Sequence, residues 1–381
     1  MAFDKVVDST ALDGNLKNVA NAIRIKGKTT ASLTFPNGFI SAIQTIQTGT
    51  ELKIVVSTPS GAAVTATKGS DTVSGMSVNG VCTLVVPEAG TWSVKATMGG
   101  QTSKTKNVFV VDSYAVELSF VSSTLNNNDW ATIKSVSDAG QGANYWSIGD
   151  RKAVTLNGTV GNLSLSNVTT YAFILGFNHN AIIEGANRIH FQLAKAALSG
   201  GTDVCFHDSS YNSIVSTTGF FSMNSSNTNS GGWESSQMRT NICGTSLSNY
   251  SGTIIAVIPA ALRAVLKSVT KYTDNTGNGS TVDSNVTATT DYFFLLSEFE
   301  VFGSISYANA NERLIQAQYA YYSAGNSKIR YKHDDTSTPA NWWLRSPTAK
   351  YSYRFALVSV GAESYYSYAP YSSGFAPGFC V

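Results

Sequence analysis

The sequence predicts an α+β protein built from consecutive domains, and three observations lead to this prediction. The chain has 381 residues, which is enough for two or three domains. Charged residues make up only 13% of the chain, about half of the usual ~25%, and Gly, Ser, Thr and Asn are abundant. The hydrophobic pattern has a helical period near the N-terminus and a strand-like period after residue 50.

Residues 1–48 have the pattern of a small helical module. One apolar stripe at helical spacing predicts a first helix: Leu12, Leu16, Val19, Ala20 and Ile23. Asp8, Ser9 and Thr10 are candidate N-caps, and Gly27 fits a helix end. A short strand is expected at residues 31–35. A second, shorter helix is expected from four further residues: Phe39, Ile40, Ile43 and Ile46.

A unit as small as residues 1–48 buries little apolar surface by itself. We therefore expect this module to dock onto other proteins or to build an oligomer. An ordinary helical cap on the next domain is the alternative.

Residues 50–113 have the alternating pattern of a small all-β domain. Apolar residues occupy every second position in short segments, as at Leu52, Ile54 and Val56. Turn-forming pairs such as Asn79-Gly80 separate these segments. Short strands at this spacing are typical of an immunoglobulin-like sandwich, for which we expect a spacer role. The Cys–Trp–Cys pattern of antibody domains is absent from this range.

Residues 115–381 are expected to form one larger α+β domain. Pro259 fits the first turn of one helix, and Asn309 fits the N-cap of another. The residues at helical spacing are Leu262, Val265, Leu266 and Val269 in the first helix and Leu314, Gln318 and Tyr321 in the second. Residues 209–235 and 273–290 are polar and should be surface loops.

Charge and hydropathy argue against several classes of protein. The formal net charge is +2 without a basic run, so no nucleic-acid partner is expected. No apolar segment approaches the ~20 residues of a membrane-spanning helix, so no membrane insertion is expected. Residues 1–5 lack the apolar core of a signal peptide, which indicates synthesis in the cytoplasm without secretion.

Catalytic and metal-binding residue types do not form a recognisable motif. The four cysteines are isolated in sequence: Cys82, Cys205, Cys243 and Cys380. We expect buried thiols rather than a disulfide framework. His190 has a strand-like context, whereas His207-Asp208 and His333-Asp334-Asp335 have loop-like contexts. A Ser–His–Asp hydrolase lacks a supporting nucleophile elbow. We therefore expect no catalytic residue, no metal site and no cofactor.

The stretch from Trp342 to Val381 is the most informative part of the chain. Apolar residues enclose it, at 342–347 and at 374–381. Tyr and Ser dominate between these ends, as in antibody-like binding surfaces, because Tyr gives large rigid contacts and Ser gives adaptable hydrogen bonds. We expect Trp342, Trp343 and Phe379 to be buried and the tyrosines to be exposed on one surface. An edge-strand region without a binding role is the alternative.

Motifs occur in order through the last two-thirds of the chain, at residues 145–152, 177–179, 231–239, 293–301, 342–347 and 376–380. Together they resemble the variable proteins of diversity-generating retroelements, which carry a C-type-lectin-like fold. Residues 1–48 are similar to an N-terminal module of phage and prophage structural proteins.

The resemblance implies that residues between 346 and 374 are diversified. In such systems an error-prone reverse transcriptase turns AAC codons into NNC codons, which encode Tyr and Ser but not Lys or Glu. Lys350 and Glu363 are therefore exceptions in a largely compatible interval. Phe355 and Val358 are expected to point inward. The implied variable, ligand-binding residues are Thr348, Tyr351, Tyr353, Arg354, Leu357, Ser359, Val360, Ser364, Tyr365, Tyr366, Tyr368, Tyr371 and Ser373.

Other activities of the same fold lack their residues here. Calcium-dependent lectins use a Glu-Pro-Asn or Gln-Pro-Asp loop and a Trp-Asn-Asp set, and neither occurs in this chain. Formylglycine-generating enzymes need a reactive cysteine pair. Cys243 and Cys380 would have to meet for that, and neither has a reactive context. We expect a protein that is not an enzyme.

The resemblance thus implies a receptor-binding protein on the virion of a phage or prophage. Residues 1–48 would contact other virion proteins and build a homotrimer, and residues 50–113 would act as a spacer. Residues 115–381 would present the variable surface to a bacterial surface protein or glycan. A cell-surface adhesin, or a virion decoration protein without a specific receptor, is the alternative.

Overall fold

The computed structural model describes residues 9–26, 30, 32–45, 51–99 and 101–381. Its secondary structure is a mixture of helices and many β-sheets. The chain divides into two units, Met1–Val121 and Ser122–Val381. Within the described ranges, no helix combines the length and the apolar character that crossing a membrane requires.

Two helices near the N-terminus share a very small core. Helix α1 spans Ser9–Lys26 and helix α2 spans Asn37–Thr45. Ala20, Ile23 and Phe39 are buried between them. Only part of the predicted apolar stripe is buried, since Leu12 and Val19 are 46% and 49% exposed.

Some expectations for this module change. Residues 32–35 are irregular, so the strand predicted at residues 31–35 is wrong over the part that is described. Helix α1 begins at Ser9, so Ser9 and Thr10 lie inside the helix rather than before it. Asp8, Gly27 and Ile46 lie outside the described residues.

In the described ranges 51–99 and 101–121, the chain forms two sheets with a shared apolar core. The strands are β1 (Lys53–Ser57), β2 (Ala63–Lys68), β3 (Asp71–Met76), β4 (Val81–Val85), β5 (Gly90–Met98), β6 (Gln101–Thr102), β7 (Lys106–Val110) and β8 (Ser113–Glu117). The first sheet has the order β4-β1-β8; the second has the order β3-β2-β5-β6, and β7 also pairs with β5. Ile54, Val64 and Trp92 are fully buried between the sheets.

The boundary expected at residues 113–115 moves to residue 121. Strand β8 begins at Ser113 and pairs in parallel with β1. Val116 and Leu118 belong to the core of the all-β domain. The domain therefore needs this strand to cover its interior, and the next unit begins at Ser122.

Residues 122–381, which are described without a gap, contain short helices and four sheets. The helices are α3 (Trp130–Asp138), α4 (Gly142–Tyr145), α5 (Ala181–Glu184), α6 (Ile254–Val257), α7 (Ala260–Arg263), α8 (Glu298–Phe302) and α9 (Ala320–Ser323). The strands are β9 (Arg151–Val160), β10 (Leu163–Phe177), β11 (Ile189–Lys195), β12 (Val204–Cys205), β13 (Val269–Asp274), β14 (Val286–Asp291), β15 (Phe293–Phe294), β16 (Arg330–Lys332), β17 (Asp335–Ala340), β18 (Trp342–Pro347), β19 (Arg354–Val358), β20 (Ser364–Tyr368) and β21 (Gly378–Cys380).

An antiparallel sheet of order β15-β21-β11-β10-β9 forms the core of this unit. Strand β11 is buried along its whole length, which confirms a structural place for His190. Phe191 of β11 stacks on Phe379 of β21 with ring centroids 5.3 Å apart, and Trp130 of α3 lies 5.7 Å from Phe191. The remaining sheets are β12-β16-β17, the hairpin β13-β14, and β18-β19-β20.

The two long helices predicted in this unit are wrong. Pro259 is the N-cap of the single-turn helix α7, and Val269 already begins strand β13. Asn309 does act as a cap, and its side chain accepts a hydrogen bond from the backbone of Asn311. It caps only a short 3-10 turn, and Tyr321 lies in the separate helix α9. Irregular segments at residues 264–268 and 315–319 divide each expected helix, so tertiary structure overrides the local helical spacing.

The two polar stretches are not simple surface loops. Within 209–235, Phe221, Asn229 and Trp233 are completely buried. Within 273–290, Thr273 and Asp274 are buried because they complete strand β13 of the hairpin. Polar composition therefore overestimated the exposure of both stretches.

Candidate ligand-binding surface

The sheet β18-β19-β20 carries the segment that the sequence singled out. Strand β18 is buried throughout, and Trp342, Trp343 and Phe379 have no exposed surface, which confirms the predicted apolar frame. The indole nitrogens of Trp342 and Trp343 donate to the backbone oxygens of Lys328 and Phe221, each at 2.9 Å. Phe355 and Val358 also point inward as predicted. Because these groups are buried and hydrogen-bonded, the frame holds β19 and β20 firmly.

A continuous group of tyrosines lies over this frame. We call it the tyrosine surface, and its members are Tyr307, Tyr351, Tyr353, Tyr365, Tyr366, Tyr368 and Tyr371. Neighbouring rings have centroids 4.7 to 6.4 Å apart. Tyr365 and Tyr368 are 50% and 39% exposed, and the other members are partly exposed. The structure thus gathers the predicted tyrosines in one place, with most of them half-buried against each other.

Arg354 lies in the middle of the tyrosine surface. Its guanidinium carbon is 4.4 Å from the ring centroid of Tyr351 and 4.6 Å from those of Tyr366 and Tyr368. Its Nη2 donates to the hydroxyl of Tyr368 at 3.1 Å. These cation–π contacts and the hydrogen bond fix the rings and the charge relative to each other before any ligand arrives.

A cavity of about 410 Å³ opens beside the tyrosine surface. It is lined by Thr281, Ser306, Tyr307, Ala308, Ala349, Lys350, Tyr351 and Tyr366. The ammonium group of Lys350 lies 5.5 Å from the ring centroid of Tyr351. A hydrogen bond with Tyr351 raises the pKa of Tyr366, so the Tyr366 hydroxyl stays protonated at neutral pH. The cavity therefore offers aromatic faces, hydroxyl groups and one positive charge.

The turn at residues 348–354 presents Tyr351 and Tyr353 and is held from below. The Thr348 hydroxyl donates to the backbone oxygen of Tyr351 at 2.9 Å. The Asn229 side-chain amide donates to the oxygens of Tyr351 and Arg354 at 2.8 and 2.9 Å. Asn229 is completely buried, so this loop contact acts as an internal clamp on the turn.

Three of the proposed variable residues are buried, and their assignment to the ligand-binding surface is wrong. Thr348 is 1% exposed, because its hydroxyl closes the turn. Leu357 is 1% exposed; it pairs with Trp343 in register and packs in the core. Ser373 is 5% exposed and donates to the backbone oxygen of Asn341. The sequence pattern could not distinguish these residues, because composition does not reveal which way a side chain points.

Three more proposed residues lie at the edge of the group. Ser359 accepts hydrogen bonds from the backbone of Gly361 and Glu363, so it shapes the β19–β20 hairpin. Val360 is 46% exposed at the tip of that hairpin. The Ser364 hydroxyl donates to the carboxylate of Glu298. Of these, Val360 is the residue most available for contact.

Glu298 positions the part of the tyrosine surface that comes from another loop. Its buried carboxylate accepts hydrogen bonds from the backbone of Ser306, Tyr307 and Ala308 at 2.8 to 3.2 Å. Together with the bond from Ser364, this carboxylate ties the Tyr307 loop to strand β20. Glu298 lies in the 293–301 motif, whereas Tyr307 carries no sequence signal that could have placed it here.

A buried network of charges supports strand β18 from beneath. Arg345 of β18 pairs with Glu300 through both terminal nitrogens and donates from Nε to the Thr273 hydroxyl at 2.6 Å. Lys271 binds Glu184 at 2.6 Å and Glu300 at 2.9 Å. Burial raises the pKa of Glu184 to about 7. The network satisfies buried polar groups, as low local dielectric demands.

The cysteines of the chain are all free and buried, as predicted. Burial raises the pKa of Cys205 and of Cys380 to about 12, and it raises that of Cys243 as well. These three thiols are therefore protonated at neutral pH, in which form a cysteine is a poor nucleophile.

In the described part of the chain, two groups of side chains have the composition of a metal site. The first is His179, Glu184 and Glu300; the second is His207, His333 and Asp334. In the first group, Lys271 and Arg345 already neutralise the two carboxylates. The second group is closer to the surface, after strand β12 and in the turn between β16 and β17.

Comparison with known proteins gives a family match for the C-terminal part of the chain. Residues 212–381 match the profile of a domain of unknown function, DUF6273. Among curated proteins no match to this chain is found. The matched range contains the whole tyrosine surface together with Asn229, Glu298 and Arg345. It begins after strands β9, β10 and β11, so it covers the surface and its supports but only part of the central sheet.

Proposed function

We propose that the second unit binds a protein or glycan on a bacterial surface through the tyrosine surface, as part of a receptor-binding protein of a phage or prophage. The observation that carries this proposal is the continuous group of tyrosines around Arg354, set over a fully buried frame. A C-type-lectin-like fold for this unit and an immunoglobulin-like fold for the all-β domain belong to the same proposal.

The arrangement supports recognition rather than reaction. Tyr and Arg are enriched among residues that dominate binding energy, because they give large contacts at low entropic cost. The neighbouring cavity of about 410 Å³ provides a place where a ligand side chain or sugar ring inserts.

The arrangement also supports diversification by a retroelement. Tyr365 and Tyr368 are well exposed, whereas the frame residues Trp342, Trp343 and Phe355 have no exposed surface. Substitutions on the surface therefore change contacts without opening the core, since exposed positions usually alter stability by less than about 0.5 kcal/mol.

Cell binding tests the proposed site. The full-length chain, labelled with a fluorophore, is incubated with a panel of intact bacteria. On a species that binds it, a Tyr351→Ser, Tyr353→Ser, Tyr366→Ser, Tyr368→Ser variant should lose binding with an unchanged melting temperature. Each lost aromatic hot spot costs about 2 kcal/mol, or roughly 30-fold in affinity. The matched control is Tyr114→Ser, which removes a 42% exposed tyrosine from the first unit.

Two outcomes would contradict the proposed site. Retained binding by the fourfold variant would place recognition elsewhere. A collapse of its melting temperature would mean that these tyrosines serve the core.

Sequencing of the gene and its surroundings tests the proposed diversification. A reverse-transcriptase gene and a template repeat matching residues 342–381 are expected nearby. Among copies, variation should occur at Tyr351, Tyr366 and Tyr368 and be absent at the buried Leu357 and Ser373. If no such repeat exists, a cell-surface adhesin or a virion decoration protein becomes the better explanation.

A further inference from the structure

His207, His333 and Asp334 bring three metal-ligating groups together away from the tyrosine surface. Each offers one donor atom, and these atoms lie within 4.8 Å of one another. Zinc bonds to nitrogen and oxygen are ~2.0–2.2 Å long, so tetrahedral donors are roughly 3.3 Å apart. The observed separations of up to 4.8 Å exceed that spacing by at most roughly 1.5 Å.

The sheet β12-β16-β17 fixes the backbone that carries these residues. Strands β12 and β16 are parallel, with Cys205 opposite Lys332. The backbone nitrogen of His333 donates to the Cys205 oxygen at 3.1 Å, directly beyond that pair. His207 and His333 therefore leave the sheet at the same edge, and their ring centroids are 4.9 Å apart.

The hydrogen bonds of His207 suit a metal ligand. Its Nδ1 lies 3.1 Å from the backbone oxygen of Asp208, and its Nε2 lies 2.6 Å from Oδ1 of Asp334. Metal-binding histidines commonly donate one ring N–H to a carbonyl and coordinate through the other nitrogen. A cation between His207 and Asp334 would replace the proton that now joins them.

Of the two carboxylates beside these histidines, only that of Asp334 is available to bind a metal ion. The Asp208 carboxylate is occupied by the backbone of Ser210 and Phe221 and by the Ser372 hydroxyl. The Asp334 side chain, in contrast, is 61% exposed and has room to move. Its ion pair in the described residues is with His207 itself.

We propose that His207, His333 and Asp334 bind one divalent transition-metal ion, for which zinc is the best match. Imidazole nitrogens favour zinc and its neighbours, whereas calcium and magnesium prefer sites made of oxygen donors. The exposed side of the site leaves a coordination position for water. The ion would join the loop after β12 to the β16–β17 turn.

Tyr211 connects the proposed metal site to the buried frame. The rings of His207 and Tyr211 are 5.7 Å apart, and the Tyr211 hydroxyl accepts a hydrogen bond from the backbone of Asn341 at 2.9 Å. Asn341 directly precedes Trp342 of strand β18. The ion would therefore stabilise the edge of the frame without touching the tyrosine surface.

Titration calorimetry on tag-free, metal-free full-length protein tests this site. Zinc sulfate should bind with one equivalent, and calcium and magnesium chloride should not compete. His207→Ala, His333→Ala and Asp334→Asn should each weaken zinc affinity by at least about 10-fold, because loss of even an outer-shell partner costs ~10–100-fold. Asp335→Asn is the matched control, since its carboxylate is held by Ser337 and Thr338 and should not contribute.

A melting curve separates loss of the site from loss of the fold. Zinc should raise the melting temperature of the unmodified protein and of Asp335→Asn but not of Asp334→Asn, because a ligand stabilises only the state that binds it. Asp334 is exposed, so its variant should fold even if a histidine variant does not. The proposal is overturned if the unmodified protein binds no zinc, or if Asp334→Asn binds it with unchanged affinity.

Discussion

At the scale of single residues, hydrogen bonds of the buried Arg345 guanidinium group hold strand β18 in place. Arg345 is completely buried and makes hydrogen bonds to Glu300, to Thr273 and to the backbone oxygen of Leu295. A buried charge is tolerated only when its partners are in place, since removal of one partner leaves the other desolvated and unpaired. The frame under the tyrosine surface therefore depends on this one guanidinium group.

Replacement of Arg345 by Met should destabilise the second unit by about 3–5 kcal/mol, because Glu300 would remain buried without its main partner. Urea unfolding of the full chain, followed by tryptophan fluorescence, measures the change. Arg313→Met is the matched control: Arg313 is exposed, so its loss should shift stability by less than about 0.5 kcal/mol. Equal effects of the two substitutions would show that the buried network contributes little.

Glu312 should give the protein a measurable pH dependence. Burial raises the pKa of Glu312 to about 7 from the ordinary value of 4.5. The folded state therefore keeps a proton that the unfolded chain has already lost above about pH 4.5. This contribution to stability is complete below pH 4.5 and is lost as the pH rises through about 7, by up to about 3 kcal/mol.

Other buried groups act in the same range, so the comparison must be between variants. Burial lowers the pKa of His179 to about 3, which makes stability rise with pH up to about 6.5. Glu312→Gln should therefore lose less stability between pH 5 and pH 8 than the unmodified protein does. Glu363→Gln, at an exposed position, should follow the unmodified curve. Parallel curves for Glu312→Gln and Glu363→Gln would contradict the assignment.

At the scale of elements, the buried strands and the strands that carry exposed side chains are different elements of the second unit. Strand β18 and most of β19 are buried, while β20 and the turn at residues 348–354 carry the exposed rings. The turn is closed by the Thr348 backbone nitrogen, which donates to the Arg354 oxygen at 3.0 Å, and it is also held by Asn229, which comes from a distant loop. The exposed rings therefore come from one short segment of the chain, whereas the contacts that hold this segment come from residues distant in sequence.

Asn229→Ala should loosen this turn without unfolding the unit. The backbone oxygens of Tyr351 and Arg354 would each lose one donor and keep the donors that Thr348 supplies. Each lost hydrogen bond costs about 0.5–1.5 kcal/mol. Hydrogen exchange should accelerate at residues 348–354 and remain slow in the central sheet. The control Asn227→Ala, at an exposed position of the same loop, should change neither. Unchanged exchange in Asn229→Ala would mean that the remaining hydrogen bonds of the turn are sufficient to hold it.

The elements differ in how far they could be predicted from sequence. The apolar ends of the 342–381 segment predicted a buried frame correctly, because large aromatic residues have few alternatives to burial. Alternation predicted the strands of the all-β domain for the same reason. The helices at Pro259 and Asn309 were wrong, because helical spacing over a few residues also occurs in isolated single turns. Tyr307 and Asn229 could not be predicted, since only the fold brings them to the turn.

At the scale of the whole molecule, the N-terminal helices leave apolar side chains uncovered within one chain. Leu12, Val19, Ile40 and Ile43 are 46%, 49%, 49% and 53% exposed. The buried core of these helices is small, with Ala20, Ile23 and Phe39 at its centre. Self-association through this module, expected as a homotrimer, would cover the remaining apolar surface and multiply weak single-site binding.

Light scattering on the full chain tests this expectation. The unmodified protein should have the mass of an oligomer, and Ile40→Asp with Ile43→Asp should shift it to a monomer, because a charge in an apolar interface is strongly unfavourable. Asn18→Asp adds a charge at an exposed polar position of α1 and should leave the oligomer intact. A monomeric unmodified protein would remove the avidity argument.

The place of β21 in the central sheet has a consequence for the timing of synthesis. Strand β11 pairs with β21, and His190 and Cys380 in that pair are 190 residues apart. At ~5–20 residues per second, a ribosome needs roughly 10 to 40 s to make the partner strand. During that delay β11 and β15 lack the strand that joins them, while the first unit is already fully synthesised. Chains arrested on the ribosome near residue 340 should therefore contain a protease-resistant first unit and a protease-sensitive second unit. The tyrosines of residues 351–371 are therefore all added to the chain before the sheet beneath them closes.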